Sequence, residues 1–315
     1  ETYYTAKTPP SGPTYPYSHK DGSKTLEDVR IEAEKKAIKA GEDPKIPTYD
    51  ELRTEEEQIK PKVFFTIRDS NGAVVDRIDG TTKKGLHRVT WNLRYPSSRP
   101  VSLKKGERPI WGSDPVGPLA MPGTYTVTMS STVDGVTTDL GQPQEFEVVD
   151  LGINTFAADD PAEVHAFQQE VSDLDRAFRG AVKWATDAES RIAHTRKALF
   201  DTPGADVAML AESQRLQTEI DDILVELSGD ETRENRNVFT PPSISERVNR
   251  IVSSQWDTTS APTQTKIDGY EWAADAFEKE LGRLQALASD LEAFESQLEA
   301  AGAPWTTGRL PNLTK

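Results

Sequence analysis

Histidine is the first residue type to examine for chemistry in this chain, because imidazole binds metals and transfers protons near neutral pH. The chain has four, His19, His87, His165 and His194. No two of them have the H-x-x-x-H or H-E-x-x-H spacing of a zinc site on a helix. Ser190 and His194 lie one turn apart on a predicted helix, but no third residue or oxyanion device completes a nucleophilic site. We therefore predict no catalytic residue, and we interpret His87, on the apolar face of a strand, as a core or edge residue.

Two acidic stretches have features of calcium sites, and a structural interpretation is favoured at both. The stretch 69–72 (DSNG) resembles the start of a calcium loop, but the acidic ligand required at position 12 is replaced by Gly80. An Asn-Gly hairpin turn explains the same residues. The pair at 159–160 (DD) precedes a predicted helix, and acidic residues cap helix N-termini. We predict no metal site and no cofactor, and we leave calcium binding open.

Aromatic residues are the candidates for contact with a partner or a glycan. Tyrosines are concentrated at the start of the chain, where they either stack on sugars or anchor this segment to the rest of the molecule. The anchoring role is favoured. A tryptophan in a long Pro/Gly-rich loop is the best candidate for a sugar-binding platform. The candidate contact residues are Tyr4, Tyr15, Tyr17 and Trp111.

Composition excludes several classes of function. The 315 residues carry a formal net charge of −15, so a phosphate backbone would be repelled and nucleic-acid binding is not expected. There is no cysteine, which excludes disulfides and thiolate chemistry. No apolar run approaches the roughly 18 residues of a membrane-spanning helix. Because the chain begins at Glu1 and not at Met, we expect it to be a piece or a processed product of a larger protein.

The first 60 residues have little apolar content. Residues 1–24 are rich in Pro, Gly, Tyr and Ser and predict an extended linker or strap. Residues 25–60 form a charged helical insert, in which Thr25 with Asp28 and Thr48 with Glu51 are capping boxes that begin two helices. The apolar faces of these helices are thin, so we expect them to pack on a neighbour.

Residues 61–150 alternate with the period of β-strands. Two β-rich runs flank Asn71-Gly72, the stretch 86–94 buries every second residue, and Asp134-Gly135 makes another turn. Several short strands without intervening helices predict an immunoglobulin-like antiparallel β-sandwich. Within it, Trp91 is expected to fill the core, and the Tyr125 hydroxyl to bond the backbone near the turn at Gly123.

Residues 151–304 have helical periodicity. Apolar residues recur at steps of three and four from Val164 to Ile192 and again from Ile267 to Leu298. These two helices of nearly 40 residues bracket two shorter ones, the first of which carries Val207. The pattern predicts a long antiparallel helical bundle in three layers, followed by a tail at 305–315. The predicted fold class is therefore a multidomain α and β protein.

Five stretches together resemble the C-terminal region of bacterial sortilin-like, BNR-repeat proteins that are often labelled glycosyl hydrolases. They are YTAKTPPSGPTYPY (4–17), IRDSNGAVV (67–75), GLHRVTWNLRY (85–95), GPLAMPGTYTV (117–127) and AAGAPWTTGR (300–309). The middle three also resemble the immunoglobulin-like module of flagellar hook-capping type. The charged insert at 25–60 departs from this pattern. The resemblance implies a secreted, periplasmic or cell-surface location and a preceding β-propeller that this chain lacks.

The functional expectation is a non-catalytic structural and interaction region that braces or extends the preceding propeller. Its expected partners are that propeller and possible further proteins or polysaccharides. One alternative is a carbohydrate-binding accessory module of a glycan-degrading enzyme, with Trp111 as its platform. Another is part of a glycoside hydrolase, which would need a carboxylate-lined cleft. Enzymatic activity is left undecided, with none expected from this chain.

Overall fold

A computed structural model describes residues 11–20, 22–103, 114–152 and 158–313. The protein is mixed α/β, with antiparallel sheets and a long helical part. The chain divides into two compact units. The first, here called the sheet unit, comprises Glu1–Pro96 and Leu119–Ile153. The second, the helical unit, comprises Ser97–Pro118 and Asn154–Lys315.

The sheet unit contains two antiparallel sheets and two helices. Its elements are β1 (Thr14–His19), α1 (Leu26–Ala40), α2 (Tyr49–Glu57), β2 (Lys62–Arg68), β3 (Val74–Gly80), β4 (Gly85–Thr90), β5 (Gly123–Val133), β6 (Val136–Asp139) and β7 (Gln144–Val148). Strands β1 and β4 form one sheet, and the order β3-β2-β5-β6 forms the other. Strand β5 is long, and the same edge pairs with β7 near the start of the strand and with β6 near its end.

The predicted hairpin turns are confirmed. Strands β2 and β3 pair across Asn71-Gly72, where the Asp69 carboxylate accepts the backbone N–H groups of Asn71 (2.9 Å) and Ala73 (2.8 Å). The acidic side chain at the start of this stretch therefore serves the turn itself. Strands β5 and β6 pair across Asp134-Gly135, both with positive φ as a tight hairpin requires.

Residues from both sheets pack in one apolar cluster. Trp91 is fully buried and lies 5.4 Å from the ring centre of Tyr125. The Tyr125 hydroxyl donates to the carbonyl of Met121 at 2.7 Å, which confirms the predicted bond near the turn. Burial raises the pKa of Tyr125 to about 12. The remaining buried members are Tyr17, Val63, Phe65, Ile67, Val75, Ala120 and Val127.

Strand β1 refines the prediction of a linker over residues 1–24. Thr14–His19 is a regular strand paired with β4, in which Tyr15 lies opposite Val89 and Tyr17 opposite His87. Just before it, Gly12 has φ +120°, and a Cβ there would collide with the carbonyl oxygen of Trp91. The segment is therefore part of the sheet unit and contributes to its core.

The helical unit consists of α3 (Pro161–Phe200), α4 (Met209–Ser228), α5 (Glu231–Glu234), α6 (Ile244–Gln255) and α7 (Gln264–Ala300). Asp160 accepts the N–H of Ala162 at 2.8 Å and caps α3, as its position suggested. Two details differ from the prediction. Val207 lies before α4 and is 76% exposed, so it is not a core residue, and the short helix α5 was not predicted.

The apolar stripes of the long helices meet in a large core, beside a smaller cluster of Phe167, Val171, Ile251 and Trp256. Helices α3, α4, α6 and α7 contribute to the large core, and Leu216, Ile220, Ile223 and Leu227 of α4 are completely buried. Residues 97–103 also belong to this unit, where the Ser98 hydroxyl donates to the buried Asp175 carboxylate. None of the helices within the described ranges combines the length and apolarity needed to cross a bilayer.

Candidate functional site

Helices α1 and α2 begin at the two predicted capping boxes. The Thr25 hydroxyl accepts the N–H of Asp28 at 3.0 Å, and the Asp28 carboxylate accepts the N–H of Thr25 at 3.1 Å. Thr48 and Glu51 make the same reciprocal pair. The hydrogen bond from the backbone of Thr25 lowers the pKa of Asp28. The hydrogen bond from Lys45 lowers the pKa of Glu51 to about 2.

Ionic contacts link the two helices. The Arg30 Nε lies 2.8 Å and 3.0 Å from the two carboxylate oxygens of Glu55, and its terminal nitrogen donates to Glu34 at 2.7 Å. These bonds, first that to Glu55, raise the pKa of Arg30 above its ordinary value. The Leu26 N–H also donates to the side-chain oxygen of Gln58 at 2.8 Å. The pair is therefore held together by polar contacts.

The apolar side chains of this segment are left open. Neither α1 nor α2 has a buried residue. Helices of this length are marginal in water unless an apolar face is packed against another surface. The large apolar residues exposed here are Leu26, Val29, Ile38, Ile46, Tyr49, Leu52 and Ile59.

A groove of about 550 Å³ runs between α1 and α2 and the chain joining them. Its apolar surface comes from Leu26, Val29, Ala33, Ala37 and Pro47. Charged side chains border it, and the acidic ones outnumber the basic ones: Arg30, Glu34, Lys45, Glu51 and Glu55. Such a groove can receive an apolar ridge, and its acidic border favours basic residues on either side of that ridge.

From the sequence, the apolar residues of α1 and α2 were expected to form a thin stripe that packs on a neighbour, but they were not identified as a site. The signal that could have found them is the isolation of this stripe within strongly charged sequence. No described neighbour in the sheet unit buries them.

The predicted contact residues have different positions. Tyr17 is buried, its ring centre is 5.0 Å from that of Phe65, and its hydroxyl accepts the Thr81 N–H at 2.7 Å. Tyr15 is half-buried and packs edge-on against Phe146 at 5.5 Å. Both rings therefore support the core, which is the anchoring role. Tyr4 and Trp111 lie outside the described residues, and the carbohydrate-binding alternative that depends on Trp111 stays a prediction.

The described histidine contacts are structural. The His194 Nδ1 lies 2.6 Å from the Ser190 carbonyl oxygen, so this histidine does not contact the serine hydroxyl. The His87 Nε2 lies 2.7 Å from the Lys83 carbonyl oxygen, and its ring packs beside Tyr17. Within the part of the chain that the structure describes, no three His, Cys, Asp or Glu side chains form a group that could hold a metal ion.

In comparisons with known proteins, no family model, curated protein or solved structure matches the chain.

Proposed function

We propose that this chain is a non-catalytic structural and interaction region that braces or extends a neighbouring domain. The neighbour is the β-propeller implied by the resemblance of five stretches to sortilin-like, BNR-repeat proteins, which also implies a secreted or cell-surface location. The observation that carries the proposal is the α1–α2 groove, because a helix pair that buries none of its apolar side chains needs a covering surface.

The occupant of the groove is an apolar ridge flanked by Lys or Arg on the neighbouring domain. Leu26 and Val29 are about half exposed, so covering the rest of either side chain contributes about 1 kcal/mol. The three carboxylates of the border exceed its two cations by one, and this excess negative charge favours basic flanks over acidic ones. A second copy of this chain is disfavoured as occupant, because each copy carries a net charge of −15.

The proposal includes a finer architecture for both units. An immunoglobulin-like β-sandwich is supported by the shared aromatic core around Trp91 and by the Tyr125 bond to the Met121 carbonyl. An antiparallel helical bundle is supported by the length of α3 and α7, 40 and 37 residues, and by the continuous core between them. Both are rigid arrangements suited to a brace.

The first test is the intact mass of the polypeptide purified from its native source. A mass well above 34.8 kDa is the expected result, since the proposed neighbour belongs to the same parent protein. A mass equal to that of this chain would mean that no neighbouring domain is attached, and would overturn the proposal.

The second test measures hydrogen exchange of the α1 and α2 amides in this chain and in the parent protein. We expect protection at least tenfold greater in the parent. Val29→Gln should reduce that gain, because Val29 lines the groove. Ile38→Gln is the matched control, since Ile38 is similarly exposed on the same helix and lies outside the groove lining. Equal protection in chain and parent would contradict the proposal.

A further inference from the structure

A second groove, in the helical unit, has a different character. A cavity of about 650 Å³ opens between α6 and the first turns of α7. Two arginines one turn apart on α6, Arg247 and Arg250, and Lys266 of α7 line it. Ile251 and Gly269 add apolar surface and Ser253 and Ser254 add hydroxyl groups. A concentration of three cations is unexpected in a chain with 52 acidic residues.

Among the described residues, no carboxylate neutralises these three cations. Arg191, Arg215 and Arg283 of the same unit all form ion pairs with carboxylates. By contrast, none of the pocket cations pairs with a carboxylate among residues 11–20, 22–103, 114–152 and 158–313. The acidic residue that does line the cavity, Glu246, accepts the Ser243 N–H at 2.9 Å in the capping box of α6. Its carboxylate is therefore engaged at the start of the helix.

Arg247 is held in place by stacking. Its guanidinium carbon lies 3.8 Å from the centre of the Trp272 ring, in a cation–π contact. Stacking uses the face of the guanidinium and leaves its edge for hydrogen bonds, the geometry with which arginine binds planar oxyanions. The Arg247 Nε is buried and has no hydrogen-bond partner among the described residues.

Lys266 is positioned from the other side of the cavity. Its Nζ donates to the Gln255 side-chain oxygen at 2.7 Å and to the Ser254 carbonyl at 3.2 Å. An ammonium group has three donors, so one remains for a ligand. Burial lowers the pKa of Lys266, and no anion among the described residues offsets this loss of hydration. A bound anion would supply that missing charge.

We propose that the α6–α7 pocket binds the oxyanion group of an organic ligand, with Arg247, Arg250 and Lys266 as its donors. The cavity is much larger than a single ion, so the rest of the ligand occupies the space beside Ile251 and Gly269. Two kinds of oxyanion fit these three donors: a carboxylate, as on an acidic sugar, and a tetrahedral phosphate. The inference concerns residues of the helical unit and does not depend on the function proposed for the α1–α2 groove.

The test is a calorimetric titration of the full chain with two probes, glucuronate and inorganic phosphate. We expect saturable binding of at least one probe. Binding of glucuronate would assign a carboxylate ligand, and binding of phosphate without glucuronate would assign a tetrahedral oxyanion. Absence of binding by both probes would overturn the proposal.

Arg250→Ala is the informative variant, because Arg250 is exposed and its removal leaves the core of α6 intact. It should weaken binding at least tenfold. Arg236→Ala is the matched control, since it removes the same charge from an exposed residue of the same unit outside the cavity. Equal weakening in both variants would indicate a general charge effect and would also overturn the proposal. Chemical shifts of the core amides check that both variants are folded.

Discussion

The α1–α2 pair and the α6–α7 pair each enclose an open groove, and they differ in how charge and burial are distributed. In α1–α2 the basic residues at the groove, Arg30 and Lys45, are matched by carboxylates, while the apolar side chains are exposed. In α6–α7 the apolar residues, such as Val248, are buried, while the cations meet no carboxylate of the described residues.

This difference indicates which kind of partner each groove can bind. Matched charges have little left to gain from a partner, so the α1–α2 groove gains mainly by covering apolar area. Unmatched cations beside a packed core gain from a counter-charge and from hydrogen bonds. The same element, a helix pair, is thus suited to a protein surface in one unit and to an anionic group in the other.

The largest expected contrast is in packing. Leu291→Ala removes a side chain that is 1% exposed in the core of the helical unit, and should lower its free energy of unfolding by about 2–5 kcal/mol. Val29→Ala, at a residue 54% exposed, should change the free energy of unfolding by less than about 0.5 kcal/mol. Urea denaturation of both variants measures the contrast. A similar loss in both would mean that α1 is packed in solution.

Breaking an ion pair should likewise destabilise the helical unit more than the α1–α2 pair. Arg191 and the buried Glu295 form a bidentate pair, with bonds of 3.2 Å and 2.8 Å. Glu295→Gln leaves Arg191 without its counter-charge and should cost about 3 kcal/mol of unfolding free energy. Glu55→Gln, which breaks the pair with Arg30, should leave the urea midpoint unchanged, because neither α1 nor α2 has a residue buried in a core. A destabilised Glu55→Gln variant would contradict this comparison.

The capping boxes offer a smaller contrast between matched residues. Ser243→Ala removes the cap of α6, whose face is in the core, and should reduce the stability of the helical unit by about 1 kcal/mol. Thr48→Ala removes the equivalent cap of α2. It should increase hydrogen exchange in α2 without shifting the denaturation midpoint. A midpoint shift of equal size in the two variants would show that α2 is coupled to a core.

The smallest expected effect is that of pH on α2. The folded-state pKa of Glu51 is lowered to about 2 from 4.5, so its contribution to α2 is complete above pH 4.5 and is lost as the pH falls towards 2. Asp28 in α1 has a pKa lowered in the same direction. As the pH is lowered through this range, the protection of the α1 and α2 amides, measured relative to their intrinsic exchange rates, should therefore decrease. Glu51→Gln should remove the pH dependence of amide protection in α2. Unchanged protection in the unsubstituted chain over this pH range would refute the assignment.

Much of the local structure was predictable. The capping boxes predicted at Thr25 and Thr48, and the hairpins at 71–72 and 134–135, are all present. Each depends on contacts between residues at most four apart, so residue types in short order suffice to predict them. The long helices were predictable because a buried face repeats its apolar residues with the helical period.

The sites were less predictable. Tyr15 and Tyr17 were candidates because aromatic rings bind sugars as readily as they fill cores, and only pairing of β1 with β4 places them in the core. Residues 1–24 were expected to be an extended linker or strap because they are rich in Pro, Gly, Tyr and Ser. Thr14–His19 is nevertheless a strand, and its edge position accommodates Pro16. Val207 was assigned to a helix by its spacing, yet α4 begins after it.

By itself, the sequence determined the caps, turns, strand alternation and helix stripes, because these are interactions between residues close along the chain. Only the tertiary structure decided which charges are matched. Arg30 meets Glu55 across 25 positions and Arg191 meets Glu295 across 104, while Arg247, Arg250 and Lys266 meet no described carboxylate. Ion pairing depends on a separation of a few ångströms in space, and composition carries no information about that distance.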